Sequence, residues 1–113
     1  MAVYTGIPGY VAVSITLSDT TAHNLLAQIV AIVPAMAGAI NCSALSLQAD
    51  LVNGANAIYV GDASVSTSRY GYALLGHDQV PYHSPINMNV PLNQIWLLAQ
   101  ASAVQVNVEV WFN

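Results

Sequence analysis

Six of the 113 residues are charged: Arg69 on one side, and Asp19, Asp50, Asp62, Asp78 and Glu109 on the other. Charged residues make up 5% and hydrophobic ones 56% of the chain, against roughly a quarter charged in ordinary soluble domains. One cation cannot displace counterions from phosphates or hold anionic headgroups, which excludes nucleic acid and membrane surfaces as partners; intrinsic disorder needs the opposite balance and is excluded too.

A chain of this length is expected to form a single domain that buries roughly 65% of the surface its unfolded form exposes. The longest apolar stretch, Leu25 to Ile40, is broken by Gln28, Pro34 and Gly38 and lacks basic flanks, so it reads as buried protein and not as a membrane span. No positive residue lies in Met1 to Tyr10, which argues against a signal peptide. Cys42 is the only cysteine and reads as a small buried thiol, suited to a reducing compartment or to a virion assembled in a cytoplasm.

In chain order, residues 1–9 read as an N-terminal arm, bent at Gly6-Ile-Pro-Gly9. That segment has no lysine and no Ser/Thr of a phosphate loop. A strand follows, with Val11, Val13, Ile15 and Leu17 alternating with Tyr10, Ala12, Ser14 and Thr16. The period then changes. Leu25, Leu26, Ile29, Val30 and Val33 share one helical stripe, which predicts a short helix over about residues 21–33, capped by Asp19, Thr20 or Thr21 and stopped by Pro34.

Leu45 and Leu47 alternate with Ser46 and Gln48, and Ile58 and Val60 follow Asn53-Gly54, a pair that predicts a hairpin because both residues accept positive φ. Further strands are predicted over Ala63 to Ser68, from Tyr72 to Leu75 after a Tyr70-Gly71 turn, and over Ile95 to Gln100. In the last of these, Ile95, Leu97 and Ala99 face one way and Trp96 and Leu98 the other, so both faces are expected to be covered. Between them, Pro81, Pro85 and Pro91 make an ordered connection and not a central strand, with Pro81, Tyr82 and His83 as a potential contact surface. The clearest alternation is the last: Val104, Val106, Val108 and Val110 around Gln105, Asn107 and Glu109. Seven or eight short strands with one helix insertion predict an all-β, antiparallel β-sandwich or jelly-roll-like single domain.

Chemistry is sparse. His23, His77 and His83 form no close metal-ligand spacing and read as loop histidines; their convergence would mark a cupin-like metal site. No serine stands in a Gly-x-Ser-x-Gly elbow and no two acids are neighbours, so no enzyme is expected. Tyr59, Tyr70, Tyr72, Tyr82, Trp96 and Trp111 read as core or subunit contacts before they read as a sugar-stacking platform. No catalytic, metal or cofactor residue is assigned. The missing charge itself predicts assembly, because a free surface and its edge strands would normally carry Lys and other charges against unwanted pairing.

Ala44-Leu-Ser-Leu-Gln-Ala-Asp50, Asn56-Ala-Ile-Tyr-Val-Gly-Asp62, Val65-Ser66, Tyr70-Gly71, Leu74-Leu75-Gly76 and Ile95-Trp96-Leu97-Leu98-Ala99 together resemble small virion structural proteins of tailed bacteriophages, of the head decoration (cement) type. The resemblance spans Ala44 to Ala99, about half the chain. Leu75-Gly76-His77 stands where a Pro-Gly turn is more usual, and the segment from Pro81 to Pro91 is additional. The resemblance implies a homotrimer of β-sandwich or jelly-roll domains on a capsid, bound across major capsid protein subunits and located in the virion. It leaves the position open between head, vertex and fibre base. A receptor- or glycan-binding module of a fibre is the alternative reading, and a cupin-like metal-binding protein the third.

Overall fold

The computed structural model describes residues 9–84 and 89–112. The arm expected over residues 1–9 therefore lies, apart from Gly9, outside the described residues, as do Pro85 and Asn87 of the proline-rich connection.

Ten strands and one α-helix are present among the described residues: β1 (Tyr10–Leu17), β2 (Ala22–Asn24), α1 (Leu25–Ile32), β3 (Asn41–Cys42), β4 (Ala44–Ala49), β5 (Ala57–Gly61), β6 (Tyr72–Leu75), β7 (Tyr82–His83), β8 (Val90–Pro91), β9 (Trp96–Ala99) and β10 (Val104–Trp111). They form two four-stranded sheets in the orders β1-β10-β4-β7 and β2-β9-β5-β6, plus the small pair β3-β8, and every pairing is antiparallel. The fold is thus all-β and sandwich-like, as the alternation predicts. A nesting rule runs through it: β1 pairs β10, β2 pairs β9, β3 pairs β8, β4 pairs β7 and β5 pairs β6. The chain is laid out as one long hairpin with β5 and β6 at its tip. Rolling that hairpin over adds the contacts of β10 with β4 and of β9 with β5.

The inward face of each strand supplies the core. Val104, Val106, Val108 and Val110 are all buried, opposite Leu45, Leu47 and Ala49 of β4 and Ile15 and Leu17 of β1. The second sheet contributes Ile58, Leu74, Leu97 and Ala99. Helix α1 adds Leu25, Leu26 and Ile29, and Met36 follows from a 3-10 turn over Pro34–Gly38. On β9 the expectation of cover on both faces is met only in part, since Leu97 and Ala99 are buried while Trp96 and Leu98 are half-buried.

Three expectations are corrected. The helix begins at Leu25 and not near residue 21, because Ala22–Asn24 is drawn into the second sheet against Leu98, Leu97 and Trp96. Asn24 is the cap: its Oδ1 accepts from Ala27 N at 3.1 Å while its Nδ2 donates to Asn93 O at 2.8 Å. Asp19 is occupied elsewhere, accepting from the N–H and hydroxyl of Thr21 and bonding His23. Second, Asn53-Gly54 does not close a hairpin. β4 and β5 lie in different sheets, and the pair ends a 3-10 turn over Leu51–Asn53, with Gly54 taking the positive φ of 59°. Third, Ala63 to Ser68 is a turn and not a strand. Asp62 Oδ1 accepts from Ser64 N, Ser66 and Arg69 exchange backbone bonds, and Arg69 meets Asp62 at 3.0 Å. Short polar side chains that satisfy nearby backbone groups compete with a ladder, and here they win.

Within the proline-rich connection, Tyr82 and His83 pair Leu47 and Ser46 as the outermost strand of the first sheet. Proline is tolerated beside such an edge because no ladder bond is lost.

Candidate functional site

The outward face of the first sheet is the most organised polar surface. The residues between the buried valines of β10 stand in register with their neighbours. Glu109 lies between Ala12 of β1 and Ser46 of β4, which is itself opposite His83; Asn107 lies between Ser14 and Gln48; Trp111 lies between Tyr10 and Ala44. Partners in register project to the same side of a sheet, so these side chains form rows on one face. A shallow groove runs over them, lined by Ala12, Ser14, Ser46, Gln48, Asn107 and Glu109.

Cross-strand bonds hold the rows. Ser14 Oγ donates to Asn107 Oδ1 at 2.8 Å, and Asn107 Nδ2 donates to Asp50 Oδ2 at 3.2 Å. Gln48 Nε2 reaches Gln79 O and Oε1 at 3.0 and 3.1 Å, and Gln79 Nε2 in turn donates to Ala49 O and Gly76 O. Tyr10 Oη donates to Glu109 Oε2 at 2.6 Å. That bond to the carboxylate keeps the proton on the phenol and raises the Tyr10 pKa above its ordinary 10. At the same end, the Tyr10 and Trp111 rings stand 5.5 Å apart at 45°, and both are exposed (46% and 37%).

The other aromatic residues separate into pairs. Tyr59 and Tyr70 lie 4.7 Å apart at the outer side of β5, next to the Arg69–Asp62 ion pair. Tyr72 and Tyr82 lie 5.6 Å apart, with Tyr72 Oη donating to Pro81 O at 3.3 Å. Trp96 is on β9 in the second sheet. The six aromatic residues are therefore not assembled as one surface, and the pair beside the groove, next to Glu109, includes Tyr10, which was not among the six. The signal was present in the alternate positions of β1 and β10, whose outward residues are Ala12, Ser14, Thr16, Gln105, Asn107 and one carboxylate, Glu109, beside one tyrosine and one tryptophan.

The three histidines remain in separate places. His23 on β2 bonds Asp19 at 2.8 Å, His77 follows β6 and bonds Gly54 O at 3.0 Å with Asp78 at 3.2 Å, and His83 is on β7. Among the described residues no group of three or more His, Cys, Asp or Glu is placed to hold a metal ion. Cys42 is buried on β3, and desolvation pushes its thiol up to about 11. No helix among the described residues is long and apolar enough to cross a membrane.

Comparison with protein-family models, with curated proteins and with solved structures finds no match for this chain.

Proposed function

We propose that the chain is a jelly-roll structural protein of a tailed-phage virion, a head decoration protein that binds as a homotrimer across major capsid protein subunits. With the short β3–β8 pair set aside, the eight remaining strands run 1-8-3-6 and 2-7-4-5 across the two sheets. That nested order supports the jelly-roll reading, an architecture frequent in viral capsid domains. The trimer and the capsid partner come from the resemblance of residues 44–99.

One observation carries the assembly reading: β1, an outermost strand of eight residues, contains no charge, no proline and no lysine. Such an edge presents unpaired backbone donors and acceptors, and monomers usually guard it. Exposed Ile32, Ile40, Leu51, Val52 and Val80 add apolar surface. The mechanism is interfacial, with backbone and apolar contacts repeated by symmetry so that weak individual contacts sum.

Mass spectrometry of purified particles and light scattering behind size exclusion test the reading. The expected results are the chain among the virion proteins and a solution mass three times the 11.9 kDa of one chain. A stable monomer at micromolar concentration, or absence from particles, overturns it.

A further inference from the structure

We infer that the outward groove of the β1-β10-β4-β7 sheet is a binding site for an uncharged oligosaccharide, with Tyr10 and Trp111 as the stacking end and Ser14, Gln48, Asn107 and Glu109 as the hydrogen-bonding floor. The inference rests on this face alone and does not depend on the assembly reading.

The chemistry of the lining selects the ligand. Sugars offer vicinal hydroxyls, which donate and accept, and C–H faces that pack on aromatic rings. The floor supplies matching groups: two side-chain amides, a hydroxyl and one carboxylate. Each is partly committed within the sheet in a way that leaves capacity for a guest. Glu109 receives Tyr10 on Oε2, which leaves Oε1 as an acceptor; Gln48 directs its amide hydrogens at Gln79, which leaves its own Oε1; Asn107 Nδ2 uses one hydrogen toward Asp50. The internal bonds also fix the rotamers before a ligand arrives, so little side-chain entropy is lost on binding.

The charge balance rules out an anionic ligand at this face. Arg69 is the only Lys or Arg of the chain, and it is paired with Asp62 beyond β5 in the other sheet. An acidic sugar or a phosphate would meet Glu109 with no arginine or lysine to offset it. A purely apolar partner would leave the spare acceptors, Glu109 Oε1 and Gln48 Oε1, desolvated without bonds, which is costly. The distance also suits a short glycan: Trp111 lies four residue steps along β10 from Asn107, about 13 Å of strand.

The test is a titration of the isotope-labelled protein with maltohexaose, cellohexaose and chitohexaose, with heparin and polygalacturonate as anionic probes, read by amide chemical shifts and tryptophan emission. At least one neutral hexasaccharide is expected to shift amides of β1, β4 and β10 and to change Trp111 emission, with no response to either anionic probe. Trp111→Ala and Asn107→Ala are each expected to weaken binding about tenfold or more, a loss of about 1.4 kcal/mol. Trp96→Phe leaves it unchanged. Tyr10→Phe, which keeps the ring and drops the bond to Glu109, provides a variant with the core untouched and is expected to weaken binding by a smaller factor. No response to any neutral hexasaccharide at about 10 mM, where even millimolar affinity would be visible, overturns the inference. So does binding that survives Trp111→Ala, that maps to the Tyr59–Tyr70 side, or that prefers the anionic probes. Each of these results leaves the virion and trimer measurements to stand or fall separately.

Discussion

Asn53 and Gln105 exchange two hydrogen bonds: Asn53 Nδ2 donates to Gln105 O at 2.7 Å, and Gln105 N donates to Asn53 Oδ1 at 2.8 Å. A side chain thereby imitates the backbone of a neighbouring strand just beyond the end of β4, where the ladder on β10 stops at Ala49. Asp50 N donates to the same Gln105 carbonyl at 3.0 Å. Asn53 is 7% exposed, so water cannot readily replace it. Asn53→Ala is expected to lower unfolding free energy by about 2–3 kcal/mol, since it leaves the Gln105 N–H unpaired and removes one partner of its carbonyl. Asn53→Asp is expected to be at least as damaging, because it keeps the acceptor and sets a carboxylate against the Gln105 carbonyl. Urea denaturation at neutral pH checks both, and a change under about 0.5 kcal/mol for either contradicts the assigned role.

Gly76 sits against the same junction. A Cβ there would lie 2.6 Å from Asp50 O and 2.9 Å from Gly54 N, both backbone atoms that cannot swing away. Gly76→Ala is expected to destabilise by about 1–3 kcal/mol. Gly38 provides the contrast, with no atom within 4 Å of the added carbon and no positive φ, so Gly38→Ala is expected to be neutral or to stabilise by up to about 1 kcal/mol. Thermal melts of the two variants side by side should rank them in that order.

Cys42 is expected to resist alkylation in the folded protein. Its thiol is pushed from 9.0 to about 11 by desolvation, which lowers the thiolate fraction near neutral pH about 100-fold, and burial adds a steric barrier. Iodoacetamide labelling followed by mass spectrometry should be slow in buffer and fast in urea. Equal rates in the two would show that β3 opens readily.

Three carboxyls ionise more readily in the fold than in the unfolded chain. Thr21 hydroxyl and N–H bonds, with His23, lower Asp19 from 3.8 to about 2; the Val52 N–H and Asn107 lower Asp50; the Ser64 N–H and Arg69 lower Asp62. A group with a depressed folded pKa contributes its stability above the unfolded value and loses it as pH falls through the folded one. The urea midpoint should therefore be flat above about pH 5 and fall between 3.8 and about 2. Asp19→Asn is expected to lower the neutral-pH midpoint and to shrink the acid fall. An unchanged acid slope in that variant would remove Asp19 from the account.

Local chemistry was legible wherever one residue's period decided the outcome. The alternation of β1 and β10 and the buried stripe of Leu25, Leu26 and Ile29 follow from side chains that must choose between core and water. The readings failed where two local solutions were of similar free energy; at Ala63 to Ser68 nearby polar side chains chose between them, and at the other two places a distant partner did. Asn53-Gly54 suits a hairpin in isolation, yet Gln105, 52 positions away, captures the Asn53 amide. Ala22–Asn24 could have opened a helix, but β9 was available to pair it.

The same division holds for the groove. The sequence by itself determined that six charges leave a mostly apolar and uncharged surface, that the strands alternate, and that Tyr10, Ser14, Asn107, Glu109 and Trp111 point away from the core, because period two assigns a face. Only the tertiary structure decided that residues 10–16 and 105–111, almost a whole chain apart, lie side by side in register with β4. Register depends on which strands meet, and that is a property of the rolled hairpin, in which nested pairing brings β1 and β10 together.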